Sequence, residues 1–177
     1  LVIVPETVSQ IARLLRPGGK LLAQTDVEER AAAYRAVLEA ARLAPSGRNA
    51  QHWRFLLVDD PADVRELAAL STTGSWVADA AFAVVVCTDP SYLFADIDAG
   101  RAVTHMQFAA FDAGVGSCIY TGFDESGMRE FLAIPEALDV TAVVGFGYPA
   151  GRGRGRKRRE PVSAVAFRGR FGRPLDG

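Results

Sequence analysis

The chain has 177 residues, 49% of them hydrophobic and 23% charged, with a formal net charge of -1 at pH 7. That length accommodates one domain with a sizeable core and is short for two, and the composition is that of a soluble globular protein. No stretch reaches the roughly 18 consecutive apolar residues of a membrane helix, and the opening Leu1-Val2-Ile3-Val4 has neither the basic start nor the small-residue cleavage site of a signal peptide, so a cytoplasmic location is expected.

In chain order, Val8, Ile11, Ala12 and Leu15 recur at helical spacing over residues 5–15, and Arg16-Pro17-Gly18-Gly19 breaks the pattern before a candidate strand at 20–24. Thr25 and Glu28 have the spacing of a capping box, and Val27, Ala31, Tyr34, Leu38 and Ala41 mark a helix over about 26–43. Pro45 disfavours helical geometry at Ala44 and ends it. The turn that follows, Leu43-Ala44-Pro45-Ser46-Gly47-Arg48-Asn49-Ala50-Gln51-His52-Trp53, collects hydroxyl, amide and backbone N–H groups between a helix and a strand. Such a turn is either a ligand-binding loop or an ordinary connector in which Ser, Gly and Asn serve turn chemistry alone.

A strand over Trp53–Val58 leads to Asp60-Pro61, an N-cap followed by proline at the first helical position, and Val64, Leu67 and Ala68 give a short amphipathic helix. Residues 71–75, Ser-Thr-Thr-Gly-Ser, form a polar loop, either a mobile lid or a plain connector. Residues 80–87 are continuously apolar, as in a strand buried on both faces. The longest helix is expected over 96–113, where Ile97, Ala102, Val103, Met106, Phe108, Ala109, Ala110, Phe111 and Ala113 leave little polar circumference. It suits a subunit interface or, alternatively, a central core position. His105 on this helix reads as a packed, hydrogen-bonded histidine.

Gly114-Val115-Gly116 stops that helix, 117–124 is a short extended run, and 126–132 is a small helix capped by Asp124 or Ser126. Residues 141–148 form a strand whose Gly145 and Gly147 suggest close approach by another backbone or a ligand. A basic loop at 151–159 and a tail at 162–175 complete the chain. Cys87 and Cys118 stand apart in apolar contexts and read as reduced core residues, and His52 and His105 are too isolated for a zinc site, so no metal is expected.

The turn at 43–53, the apolar helix ending at Gly114-Val115-Gly116, the segment Met128-Arg129-Glu130-Phe131-Leu132-Ala133-Ile134-Pro135, and Gly145-Phe146-Gly147-Tyr148-Pro149 with the basic residues after it together resemble the nitroreductase-like flavoproteins, from about residue 34 to the end. The resemblance implies an α+β sandwich with a mainly antiparallel central sheet flanked by helices. It implies that Pro45, Ser46, Gly47 and Asn49 contact FMN, with Gln51 beside them, and that Ile119, Tyr120, Thr121 and Gly122 lie along the isoalloxazine ring. It assigns Lys157 and Arg159 to the FMN phosphate, a role for which charge-assisted, bidentate hydrogen bonding suits arginine. Thr121 stands where some relatives carry a glutamate.

The expected activity is FMN-dependent hydride transfer from NADH or NADPH to a small electron-poor acceptor such as a nitroaromatic or quinone, with the flavin carrying the chemistry and no catalytic side chain required. Tyr120 and Phe123 would either stack in the acceptor pocket or simply pack in the core. A homodimer joined through the helix at 96–113 is expected, each flavin site drawing on both chains. The family's opening Arg-x-Ser-x-Arg motif is missing; residues 1–30 instead resemble a late segment of class I S-adenosylmethionine methyltransferases and are read as a segment of separate origin before a flavin-binding domain at 31–177. Two other readings stay open: a flavin-binding relative without turnover, and a nucleic-acid binder using the Arg/Gly loop at 151–159, which the net charge of -1 disfavours.

Overall fold

A computed structural model of the chain describes residues 21–22, 27–149 and 158–175. The expected helix at 5–15, the Thr25 capping box, the basic residues 151–157 and with them Lys157 lie outside the described residues. Of the strand expected at 20–24, β1 (Leu21–Leu22) is described, paired antiparallel with Tyr148 and Pro149.

The sheet is antiparallel throughout. β2 (Trp53–Val58) pairs with β3 (Phe82–Thr88), β3 with β5 (Asp139–Pro149), and β5 with β4 (Gly116–Tyr120), so β2 and β4 occupy opposite edges of the order β2-β3-β5-β4. The helices are α1 (Val27–Arg42), α2 (Pro61–Ala69), α3 (Ala95–Asp112), α4 (Glu125–Leu132) and the short α5 (Val162–Val165).

β3 explains why the sheet has two covered faces. Side chains alternate along a strand, so Phe82, Val84 and Val86 join Ala33, Val37 and Ala41 of α1 and Ala99, Ala102 and Met106 of α3 in one core. Ala83, Val85 and Cys87 point the other way, into a second core with Val64 and Leu67 of α2 and Met128 of α4. A continuously apolar strand is the sequence mark of this double burial. Within the first core Phe82 stacks on Phe146, ring centroids 4.8 Å apart.

Several elements differ in detail from the sequence reading. The buried stripe of α1 is Ala33, Val37 and Ala41, with Tyr34 and Leu38 packed beside it, while Val27 is 69% exposed. Asp60 caps α2 as expected, accepting the Ala62 N–H at 2.7 Å. Asp124 precedes α4 without a side-chain cap; that helix is held instead by Arg129, which donates to Glu125 and Asp139 and ties α4 to the start of β5. The loop at 71–75 is a fastened connector rather than a lid: the Thr72 N–H donates to the Gly122 carbonyl at 2.8 Å, and Ser71 bridges to Phe123. A β-carbon at Gly74 would stand 2.4 Å from the Tyr120 ring, so only glycine lets the loop lie this close.

Burial raises the Cys87 thiol from 9.0 to about 11 and the Tyr120 phenol from 10.0 to about 12, because a charge in the second core, where both lie, loses its hydration. Both folded values lie above the unfolded ones, so the stability these groups contribute is complete below their ordinary values and is lost as pH rises through the folded values. Urea midpoints are therefore expected to fall as pH is raised from 9 towards 12. Cys87→Ala should remove the part of the decline that begins near pH 9; an unchanged slope in that variant contradicts the assignment.

Candidate functional site

The turn between α1 and β2 is the most strained stretch among the described residues. Arg48, Asn49 and Gln51 have φ of 53°, 57° and 48°, left-handed values that side chains other than glycine rarely adopt. Such a conformation persists only where the surroundings over-determine it, and it gathers at functional sites. Here the Asn49 N–H donates to the Ser46 carbonyl and the Ala50 N–H to the Gly47 carbonyl, both at 3.0 Å. The Gln51 N–H donates to Ser46 Oγ at 3.0 Å, so the serine hydroxyl closes the turn upon itself.

The largest support comes from α3. Asp98, 2% exposed, accepts the Gly47 N–H at 2.8 Å and His52 Nε2 at 3.3 Å through Oδ2, while Oδ1 accepts from Arg101 at 3.3 Å. His52 is itself buried and stacks on Tyr92 with ring centroids 5.0 Å apart. The hydrogen-bonded histidine is thus His52; His105 is half-buried on the flank of α3. Sequence reasoning passed over Asp98. The available signal was its phase: it falls in the stripe Ala95, Ala99, Ala102, Met106, where a carboxylate must meet buried donors.

What this leaves on the surface is a neutral-to-cationic donor set. Pro45, Arg48, Asn49 and Gln51 are exposed and Ser46 is half-buried. Hydroxyl, carboxamide and guanidinium groups of this kind fit the polar edge or phosphate of a flavin.

The other predicted segment lies where β4 ends. Ile119 is 43% exposed and Thr121 is exposed, but the Tyr120 side chain turns into the second core, 4% exposed, its hydroxyl donating to the Leu67 carbonyl at 3.4 Å and its ring packed edge-on against Trp76 and Phe123. Alternation along β4 decides this, and it leaves only backbone at Tyr120 to meet a ligand. Both aromatic residues pack in the core rather than line an open pocket. Gly122 is required by its neighbours: a β-carbon there would stand 2.6 Å from the hydroxyls of Thr72 and Thr73. Of the two glycines in β5, Gly145 has a similar cause, since the atoms nearest to a β-carbon there belong to the side chains of Trp76 and Val77.

Register shows what is and is not brought together. Trp53, Thr88 and Asp139 end their strands on one side of the sheet, and β4 runs towards that same side, Tyr120 opposite Val143. The turn at 46–51 and the segment at 119–122 therefore share a sheet end but stand on opposite edges, separated by β3 and β5. Three strand spacings separate them by on the order of 14 Å across the sheet alone. Arg159 is exposed, donating to the Arg158 carbonyl.

Of the two positions open to the helix at 96–113, a subunit interface or a central core, its Met106 face takes the second. Met106 is fully buried in the first core, because α3 packs one face on α1 and the sheet. The apolar residues that α3 and its approach leave in solvent are Tyr92, Leu93, Phe94 and Ile97, 44%, 88%, 50% and 58% exposed, beside the strained turn; Phe94 Cδ2 would be 3.3 Å from a β-carbon at Gly47.

Solved structures share this architecture. An FMN-dependent nitroreductase from Clostridium difficile superposes with a TM-score of 0.77 over 92% of this chain and 99% of its own, at 22% identity. A Bacteroides thetaiotaomicron protein provisionally named NADH dehydrogenase/NAD(P)H nitroreductase gives 0.78 over 95% and 99%, at 21% identity. At such identities the likeness is one of fold, and the fold is nitroreductase-like. Sequence carries the matter further: the nitroreductase family profile matches residues 30–90 and 72–148, and an Archaeoglobus fulgidus protein with the same provisional name is 35% identical over 122 residues, 64% of this chain and 70% of the relative. A Thermus thermophilus NADH dehydrogenase is 28% identical over 157 residues, 67% of this chain and 77% of that one. The chain belongs to the nitroreductase family and is an oxidoreductase. The comparisons lend no support to a methyltransferase resemblance over the first 30 residues. No helix among the described residues is long and apolar enough to cross a membrane.

Proposed function

We propose that the protein is an FMN-dependent oxidoreductase that takes hydride from NADH or NADPH and delivers it to a small electron-poor acceptor, a nitroaromatic or quinone, and that it works as a homodimer. The observation that carries the reading is the strained turn at 46–51, fixed from beneath by a buried carboxylate and presenting its donors to solvent, in a chain of this family. When bound, FMN supplies the reversible two-electron chemistry that no side chain can. Ser46, Asn49 and Gln51 supply hydroxyl and carboxamide contacts to it. Residues 119–122 provide an edge of backbone and an exposed Thr121 alongside, and Lys157 and Arg159 neutralise the phosphate.

The separation of the turn from residues 119–122 favours two chains per site. A second copy packed over the exposed Leu93, Phe94 and Ile97, beside the turn, covers an apolar patch a monomer leaves in water. The Asp and Glu residues of α3 and α4 have no assigned role in hydride transfer; the chain's task is to bind, orient and exclude water.

FMN titration with anaerobic reduction by NADH tests the reading. The purified protein should quench FMN fluorescence, and NADH should bleach the bound flavin until a quinone restores it. Each phosphate contact is charge-assisted and worth about 1.5 to 3 kcal/mol, so Lys157→Ala or Arg159→Ala should weaken FMN binding roughly ten- to a hundredfold while Arg152→Ala changes it little. Equal affinity in all of these variants removes the phosphate assignment, and absence of FMN binding by the wild-type protein removes the proposal.

A further inference from the structure

We propose that Asp98 is a positioning residue for the flavin-binding turn: its buried carboxylate holds the turn at 46–51 in the left-handed conformation that leaves Asn49 and Gln51 exposed to solvent. This rests on the functional reading above. Nothing within the turn is sufficient to keep it so. Its internal hydrogen bonds close short loops, yet Arg48, Asn49 and Gln51 carry positive φ without the freedom of glycine, a cost that must be met by contacts from elsewhere.

Asp98 supplies them from α3, far along the chain. Oδ2 takes the Gly47 N–H at 2.8 Å, just before the strained residues, and His52 Nε2 at 3.3 Å, just after them, so one oxygen pins both ends of the strained segment. A carboxylate oxygen only accepts, so the His52 ring proton sits on Nε2; Nδ1, equally buried, has no hydrogen-bond partner among the described residues. Among the described residues the His52 ring is held by its contact with Asp98 and by ring contacts with Tyr92 and Trp53, while its carbonyl accepts the Asp89 N–H at 3.4 Å. Arg101, half exposed at 50%, sits on Oδ1 and offsets the buried charge. Removing the carboxylate takes away the acceptor that the Gly47 N–H and His52 Nε2 share, so the tie between the turn and α3 is lost.

The test joins FMN titration to amide hydrogen exchange, which needs no flavin. In Asp98→Ala, exchange should rise in peptides spanning 45–52 while peptides of β3 and the middle of α1 stay protected, and FMN affinity should fall about ten- to a hundredfold. Asp98→Asn keeps the shape and one acceptor oxygen, and should recover FMN affinity to within about threefold to tenfold of wild type; if Asp98→Ala does not fold, Asp98→Asn and His52→Phe carry the measurement, each with exchange raised only around the turn. Exchange rising equally throughout the chain, or an unaltered turn, overturns the proposal. Wild-type protein that binds no FMN, yet shows the localised exchange on mutation, refutes the flavin reading and leaves Asp98 as the anchor of a turn with another ligand.

Discussion

Met106→Glu is expected to unfold the chain, and Ile97→Glu is expected to leave it folded while separating the proposed dimer. Met106 is fully buried among Val37, Ala41, Phe82, Val84 and Phe146 in the first core, where a glutamate finds no counter-charge. An unpaired ion there costs several kcal/mol, on top of the lost packing of the methionine, and the total approaches the whole of a typical domain's stability, about 5 to 15 kcal/mol. Ile97 sits on the same helix with 58% of its surface in solvent, so its replacement should alter monomer stability by no more than about 0.5 kcal/mol. Urea unfolding followed by circular dichroism, paired with sedimentation, separates the two effects. A folded, monomeric Met106→Glu protein would reverse the placement of α3, and a dimeric Ile97→Glu protein would remove the patch at Leu93, Phe94 and Ile97 from the interface.

Gly145→Ala should be the most costly single-methyl addition to the sheet. Its β-carbon would stand 2.7 Å from the Trp76 ring and 2.9 Å from Val77 Cγ2, and Gly145 is bracketed by Ala83 on β3 and Cys118 on β4, so the backbone cannot back away. Overpacking of this kind costs about 1 to 3 kcal/mol, which in a domain of this size lowers Tm by roughly 2 to 4 °C for each kcal/mol. Trimming the obstacle should return much of that loss: in the double variant with Trp76→Leu the two effects are expected to fall short of additivity by at least about 1 kcal/mol. Additive losses would mean that the Trp76 ring does not press on Gly145. Because Trp76 also lies against Tyr120, which in turn fills the space beside Gly74, the substitution should loosen the 71–75 connector and the backbone at 119–122 together.

The candidate site was legible in unequal measure. The turn at 43–53 stands out as a proline-terminated helix followed by short polar residues, and its resemblance to a flavin-binding turn pointed to the right family. The phase of Asp98 within the buried stripe of its helix marks a carboxylate in need of donors, but the Gly47 N–H and His52 lie more than forty positions earlier in the chain, and no local pattern names them as its partners. Tyr120 was assigned with its neighbours as one segment, whereas pleating sends Tyr120 into the core and leaves Ile119 and Thr121 in solvent.

By itself the sequence determined what depends on neighbours along the chain. The Asp60-Pro61 start of α2, the end of α1 shortly before Pro45 and the doubly buried character of β3 follow from capping, proline sterics and continuous hydrophobicity, all of which act within a few residues. Only the tertiary structure decided which face of each apolar element is covered. α3 is apolar around most of its circumference, so its periodicity does not choose between Met106 and Ile97; packing against α1 and β3 buries the first and leaves the second in water. The same holds for Gly145, where the Trp76 ring leaves no room for a side chain, and for the strained turn, which Asp98 holds from across the fold, through contacts whose free energy exists only once distant segments have met.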